Sequence, residues 1–248
     1  MPDATINGVR LHYEAAGDGP GALVFVHGAW GDHHNWDAVV PGLARSWRVV
    51  TYDRRGHSQS ERPPAPERID ADVHDLAGLI RHLQAGPSHI VGSSSGASII
   101  LNLAMTHPEL FATLTVHEPP LLGLLGAMPA AMEVKARLAA VMARLQRGDV
   151  EGGAEEFMET VATGPGAWQA MPEATRRKLL FNAQTFVDEL NDAEAFWLDL
   201  SALSRFDRPA LLTQGEQSLP YFAPIMDLLA GALPAARRHT FGGAKHVP

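Results

Sequence analysis

Cysteine is absent from all 248 residues, which excludes disulfides and thiolate metal sites. Net basicity is absent too. The formal charge is −8, with no basic run and no aromatic–basic interleaving, so neither nucleic acid nor an anionic membrane is expected as a partner. The longest apolar stretch, near Leu121 to Met132, contains Pro129 and falls short of the ~20 residues needed to span a bilayer. Met1-Pro2-Asp3-Ala4-Thr5 lacks the basic start and apolar core of a secretory leader, and a cytoplasmic protein is the expectation. Phosphate-binding glycine loops are missing as well: Gly28-Ala29-Trp30-Gly31 has neither G-x-G-x-x-G nor the Lys-Ser/Thr ending. His33 and His34 are adjacent rather than four apart, which argues against a zinc site. No cofactor and no metal are expected.

What is present is alternation. Val9 to Ala15 reads as a strand after an Asn7-Gly8 turn, opening the chain with a hairpin. Unbroken apolar runs follow at Ala22–Val26, Arg48–Tyr52, Ser88–Gly92, Ala112–Val116, Ala210–Thr213 and Arg238–Phe241. Such runs fit strands buried on both faces. Helical patterns lie between them at Trp36–Leu43, Ala71–Leu83, Ser95–Met105 and Tyr221–Leu233. The alternation predicts an α/β fold with a mostly parallel sheet. From Leu121 to Leu203 no strand pattern occurs. Helical stretches fall instead at Met132–Arg147, Gly152–Val161, Glu173–Asn182 and Ala193–Leu203, broken at Gly164-Pro165-Gly166. Residues 121–203 are therefore expected to form a helical cap on a core made of residues 1–120 and 204–248.

The strand Ser88–Gly92 runs into Gly92-Ser93-Ser94-Ser95-Gly96 and then a helix. G-x-S-x-G at a strand-to-helix turn is the pattern of a nucleophile elbow, which holds its central serine in a strained conformation at the top of a sheet. Ser93 and Ser95 are rivals by type, but only Ser94 sits centrally between the glycines. A serine hydroxyl needs a base within hydrogen-bond reach and a third group to orient that base.

Three further segments carry a resemblance. His27-Gly28 ends an early strand, Tyr52-Asp53-Arg54-Arg55-Gly56-His57-Ser58-Gln59-Ser60 follows another, and Gly242-Gly243-Ala244-Lys245-His246-Val247-Pro248 closes the chain. With the elbow, their order and spacing resemble the α/β-hydrolase superfamily over essentially the whole chain, with Ser58 where that family usually has glycine. The resemblance implies a helical cap, Ser94 as nucleophile, His246 as general base, and the backbone amides of Ala29 and Ser95 as oxyanion donors. It also implies structural roles for Asp53, Arg54 and His57. His27 is read as support for its loop, and His33 and His34 as solvated.

The acid is a departure from the pattern. The family's usual position falls on Ser218, in Gly215-Glu216-Gln217-Ser218, and a serine holds no charge. Two carboxylates compete for the role. Glu118 ends the strand before the cap, where certain haloalkane dehalogenases and zearalenone-type lactone hydrolases place an acid. The latter also show a similar Ser-Ser-Gly-Ala-Ser elbow, here residues 94–98, and a His-Glu pair, here His117-Glu118. Glu216 is the alternative. The preferred triad is Ser94, His246 and Glu118.

A serine nucleophile argues against dehalogenase and epoxide hydrolase chemistry, which need an attacking carboxylate. The expected reaction is hydrolysis of a neutral, partly hydrophobic ester or lactone in a pocket drawn from Trp30, Leu122, Met132, Trp168 and Trp197. A slow-turnover small-molecule receptor and cofactor-free perhydrolysis remain open on the same scaffold. A monomer or homodimer is expected. Relatives usually continue into a final helix beyond the histidine loop, so the ending at Pro248 predicts a poorly anchored His246 and low activity.

Overall fold

The apolar runs pair into one eight-stranded sheet in the computed structural model, which describes residues 2–64, 66 and 68–246. The strands are β1 (Asp3–Ile6), β2 (Val9–Ala16), β3 (Ala22–Val26), β4 (Arg48–Tyr52), β5 (Ser88–Ser93), β6 (Phe111–His117), β7 (Ala210–Gly215) and β8 (Ala236–Phe241), in spatial order β1-β2-β4-β3-β5-β6-β7-β8. β1 and β2 form the expected hairpin, with both Asn7 and Gly8 at positive φ, as a tight two-residue turn requires. β2 runs antiparallel to β4, and every later pairing is parallel. Val24 and Phe25 on β3 and Val49 and Val50 on β4 are all at most 5% exposed, so these two strands are covered on both faces and need no alternation, whereas β5 and β6 place their most buried residues on one face and half-buried ones on the other. β8 is different. Its Arg237-Arg238-His239-Thr240-Phe241 stretch is exposed, and its arginines suit an edge strand that must not pair with another chain.

Helices α1 (Val40–Leu43), α2 (Ile69–His82), α3 (Ser95–Thr106) and α9 (Phe222–Ala232) flank the sheet. α3 is the central one: residues Ser95 to Leu101 are all buried, which matches its all-round apolar sequence. The helix expected over Trp36–Leu43 is only a 3₁₀ turn, His33–Trp36, and the single turn α1, because Pro41 lacks the N–H that would join the two by a helical hydrogen bond and is accommodated only in the first turn of α1.

Between β6 and β7 lie α4 (Pro129–Gln146), α5 (Val150–Phe157), α6 (Ala167–Ala170), α7 (Glu173–Asn191) and α8 (Leu200–Leu203). Among the described residues no strand falls in this interval. α7 extends nine residues past the expected Asn182 end. The expected Ala193–Leu203 helix is instead two short turns, because the Asp192 and Asp199 side chains each accept backbone N–H groups and start a new turn. No helix among the described residues is long and apolar enough to cross a membrane.

The chain order places the site. After β3 the chain moves to β4 on one side, then returns to β5 on the other. The loops leaving the carboxyl ends of β3 and β5 therefore diverge, and a crevice opens between them. His27-Gly28-Ala29 follows β3, and Ser94 follows β5.

Candidate active site

Ser94 sits between β5 and α3 with φ 56° and ψ −126°, a conformation a non-glycine residue rarely adopts. Its N–H donates to the His117 carbonyl at 2.9 Å, which ties the turn to β6. The flanking glycines are steric necessities. A Cβ on Gly92 would stand 2.6 Å from the Gly96 carbonyl oxygen, and one on Gly96 would stand 2.4 Å from the Val26 carbonyl oxygen. Both obstacles are backbone and cannot swing aside. Gly96→Ala is accordingly expected to cost about 3 kcal/mol, lowering Tm by about 6–12 °C in a thermal melt. A melt within 1 °C of the wild type would show that the turn is less tightly packed than these contacts imply.

His246 is held firmly, contrary to the expectation of a poorly anchored base. It is 8% exposed. Its Nδ1 lies 2.6 Å from Glu118 Oε2, and its carbonyl accepts from His117 Nε2 at 3.1 Å. Its ring lies nearly parallel to those of Phe222 and His117, with centroids 4.6 and 6.0 Å away. These contacts come from β6 and α9, so the fixing of this residue needs no following helix. Val247 and Pro248, the last two residues of that loop, lie outside the described residues.

Glu118 is fully buried and has φ 44°. Oε1 accepts the Gly215 N–H at 2.8 Å, while Oε2 faces His246. Burial pushes the carboxyl up. The hydrogen bond and positive charge of His246, the nearby Ser218 and the Gly215 N–H outweigh it and hold the group below its ordinary range. The Ser218 hydroxyl is buried but makes no bond of good geometry, so it acts here as a neighbouring dipole. Burial likewise pushes the His117 imidazole down, Glu118 only partly offsetting it. The alternative acid, Glu216, is exposed and accepts the Gly243 N–H at 2.8 Å. It braces the loop that carries His246, and the imidazole turns to Glu118 instead.

His27 supports the loop after β3. Its Nδ1 lies 2.8 Å from the Gly28 carbonyl, and the Arg54 N–H donates to its Nε2 at 3.0 Å. Burial, reinforced by the Arg54 charge, lowers its pKa to about 4. It is thus neutral at pH 7, as its acceptor role requires. Trp30, at φ 63°, completes the turn beside Ala29. Ser95 opens α3, where the helix dipole presents its positive end.

Ala29, Ser94 and His246 line one cleft. Its walls are Leu122, Leu138, Phe157, Val161, Phe186 and Tyr221, mostly from the helices between β6 and β7. Leu122, expected from sequence in the pocket, is on that wall, whereas Trp30, Met132, Trp168 and Trp197 are not. Trp30 is 1% exposed and sits behind Phe157 and Phe186, its ring centroid 5.5 and 4.9 Å from theirs. Trp168 is buried in the helical layer with the Arg176 guanidinium 5.8 Å from its ring. Met132 and Trp197 are 53% and 48% exposed and face outward. Helix packing, not residue size, decides which apolar groups reach the cleft.

Sequence reasoning also missed Glu189. It lines the Ser94 cleft and an adjoining charged cavity. Its side chain is 10% exposed and lies 3.7 Å from Arg54, which is already paired with Asp72 at 2.7 Å. Burial raises its carboxyl to about 7, with Arg54 pulling down and Asp72 pushing up. The available signal was spacing. Asn182, Thr185 and Glu189 share one face of α7, and that face docks on the core: Asn182 Nδ2 donates to the Gly31 carbonyl at 2.9 Å, and Thr185 Oγ1 meets His57 Nε2 at 3.0 Å. His117, Glu118 and His246 could together offer three metal-ligand atoms, but the hydrogen bonds above already engage them.

A model of the alpha/beta hydrolase fold family matches residues 21–248. Among curated proteins, the uncharacterized hydrolase YraK of Bacillus subtilis is 40% identical over 122 residues, covering 48% of this chain and 45% of its own. The zearalenone hydrolase of Bionectria ochroleuca is 28% identical over 181 residues, covering 71% and 64%. The chain thus spans less than two thirds of either relative's length. Among solved structures, a thermophilic esterase from Thermogutta terrifontis superposes with a TM-score of 0.79 at 23% identity, covering 100% of this chain and 91% of the esterase.

Proposed function

Given that the chain belongs to the alpha/beta hydrolase fold family, we infer that it hydrolyses a neutral, partly hydrophobic carboxylic ester or lactone through an acyl-enzyme on Ser94. The observation that carries this reading is the buried Glu118–His246 pair opening beside a strained Ser94 in an apolar cleft. Ser94 Oγ attacks the carbonyl carbon while His246 Nε2 takes its proton. Glu118 holds the imidazole in the tautomer with hydrogen on Nδ1 and stabilises the imidazolium that forms. The Ala29 and Ser95 amides receive the developing oxyanion. His246 then returns the proton to the leaving alkoxide and activates water for deacylation. Residues 121–203 act as a cap that sets specificity, since Leu138, Phe157 and Phe186 come from them. The substrate on this reading is a free small molecule, the ligand class that an apolar cleft with a few convergent polar groups takes.

The test is turnover of a p-nitrophenyl ester series and a set of lactones by wild type and Ser94→Ala. Wild-type turnover abolished by the substitution, with the melt unchanged, supports the reading. Equal turnover by both proteins, or none by wild type, sinks it.

A further inference from the structure

A second cluster of functional side chains lies away from the cleft. His12 and Glu14 sit two apart on β2 and so point to one face. His33 begins the 3₁₀ turn after β3. None of the three lines the Ser94 cleft. His12 is 2% exposed and His33 1%. The Nδ1 of His12 lies 3.1 Å from Asp3 Oδ1, and the Nδ1 of His33 lies 2.6 Å from Asp53 Oδ1. An ionised carboxylate accepts hydrogen bonds and donates none. With a carboxylate on Nδ1, a ring that binds a metal carries its hydrogen there and turns the Nε2 lone pair to the ion. Both Nε2 atoms are buried without a hydrogen-bond partner. The His33 Nε2 also lies 3.7 Å from Glu14 Oε1. One ligand atom from each of His12, Glu14 and His33 falls within 4.8 Å of the other two.

Two imidazole lone pairs and a carboxylate converge with no donor between them. What satisfies three acceptors at once is a cation. We propose that His12, Glu14 and His33 bind a divalent transition-metal ion of the zinc class. Two nitrogens and one oxygen suit zinc, cobalt or nickel rather than magnesium or calcium, which take all-oxygen sets. Carboxylates on the far ring nitrogens are the usual support of metal-bound histidines, fixing tautomer and ring orientation, and both rings have one. Tetrahedral zinc sets its ligand atoms about 3.4 Å apart, so the three need to close only modestly. The Glu14 side chain is 51% exposed, which gives it freedom to swing in and leaves a solvent path for the ion and a fourth, water ligand. The bound ion would join β2 to the turn after β3. The sequence hid this set because its members come from separate segments, His12 and His33 standing 21 positions apart.

The experiment is titration of chelator-stripped full-length protein with Zn²⁺ by calorimetry and with Co²⁺ by visible absorption. One ion per chain is expected, with a tetrahedral cobalt spectrum. Tm should rise by about 5–10 °C at zinc 100-fold above its Kd. Glu14→Ala, at a half-exposed position, should weaken binding at least about 10-fold and leave ester turnover unchanged. His33→Gln should abolish binding. Glu118→Gln should leave binding intact, which separates this site from the cluster at the cleft. No stoichiometric binding overturns the proposal. So does binding that Glu14→Ala leaves unaltered, or binding that Glu118→Gln removes.

Discussion

Glu118→Gln is expected to lower kcat for ester hydrolysis by about 10⁴ while leaving the fold intact. Glutamine matches glutamate in shape, and its carbonyl can still accept the Gly215 N–H that Oε1 takes at 2.8 Å. Its amide nitrogen then faces His246 Nδ1, where Oε2 stands at 2.6 Å. An NH₂ group donates, so the imidazole must place its hydrogen on Nε2 and offer Nδ1 as acceptor. Nε2 then has no lone pair with which to take the Ser94 proton. The lesion is one of tautomer, not of position, so KM should move far less than kcat. Glu216→Gln, which alters only a brace on the Gly243 amide, should stay within a few-fold of wild type. Kinetics on both variants check this, and a large loss in Glu216→Gln with a small one in Glu118→Gln would reverse the assignment of the acid.

The second large effect is thermodynamic. The Glu189 carboxyl stands at about 7 in the fold against an ordinary 4.5, because burial disfavours its charge more than Arg54 favours it. A raised carboxyl means that the folded state binds the proton more tightly than the unfolded one. The associated stability is fully present below about pH 4.5 and is lost as pH rises through about 7. That gap, at 1.36 kcal/mol per pH unit, corresponds to about 3 kcal/mol. Glu189→Gln removes the titration. Between pH 5 and pH 8 the wild-type Tm should therefore fall relative to the variant by several degrees. Melts of both proteins across that range decide it, and a constant offset at every pH would mean that Glu189 does not titrate there.

Much of the architecture was legible because it rests on local physics. Val24 to Val26 are apolar without alternation since both faces of their strand are buried. Asn7-Gly8 announces its turn through the positive φ it must adopt. The glycines around Ser94 were readable because only glycine fits where β5, α3 and β3 touch. Glu118 was singled out through resemblance: Ser218 leaves the family's usual position without a charge, His117-Glu118 matches a pair in lactone hydrolases, and in the structure Glu118 meets His246. The cleft walls were not legible. Trp168 and Phe186 look alike as large apolar residues, and only the packing of the cap helices sends one inward to its own layer and the other to the cleft. Glu189 looks like any surface charge on a helix until α7 is seen to lie face-down on Arg54 and Asp72.

That face-down contact also makes the cap hard to misplace. Apolar helix faces can slide or rotate on one another by a turn and still bury similar area, whereas a hydrogen bond tolerates only narrow distances and angles. Asn182 reads three groups on two loops, accepting the Ser58 N–H and donating to the Trp30 and Gly31 carbonyls. A transplanted helix lacking an amide at this position would have no register mark on the core. Redesign of substrate range is therefore best confined to the wall residues Leu138 and Phe157 on the neighbouring helices, with the α7 stripe kept as the index that aligns any new wall with the nucleophile.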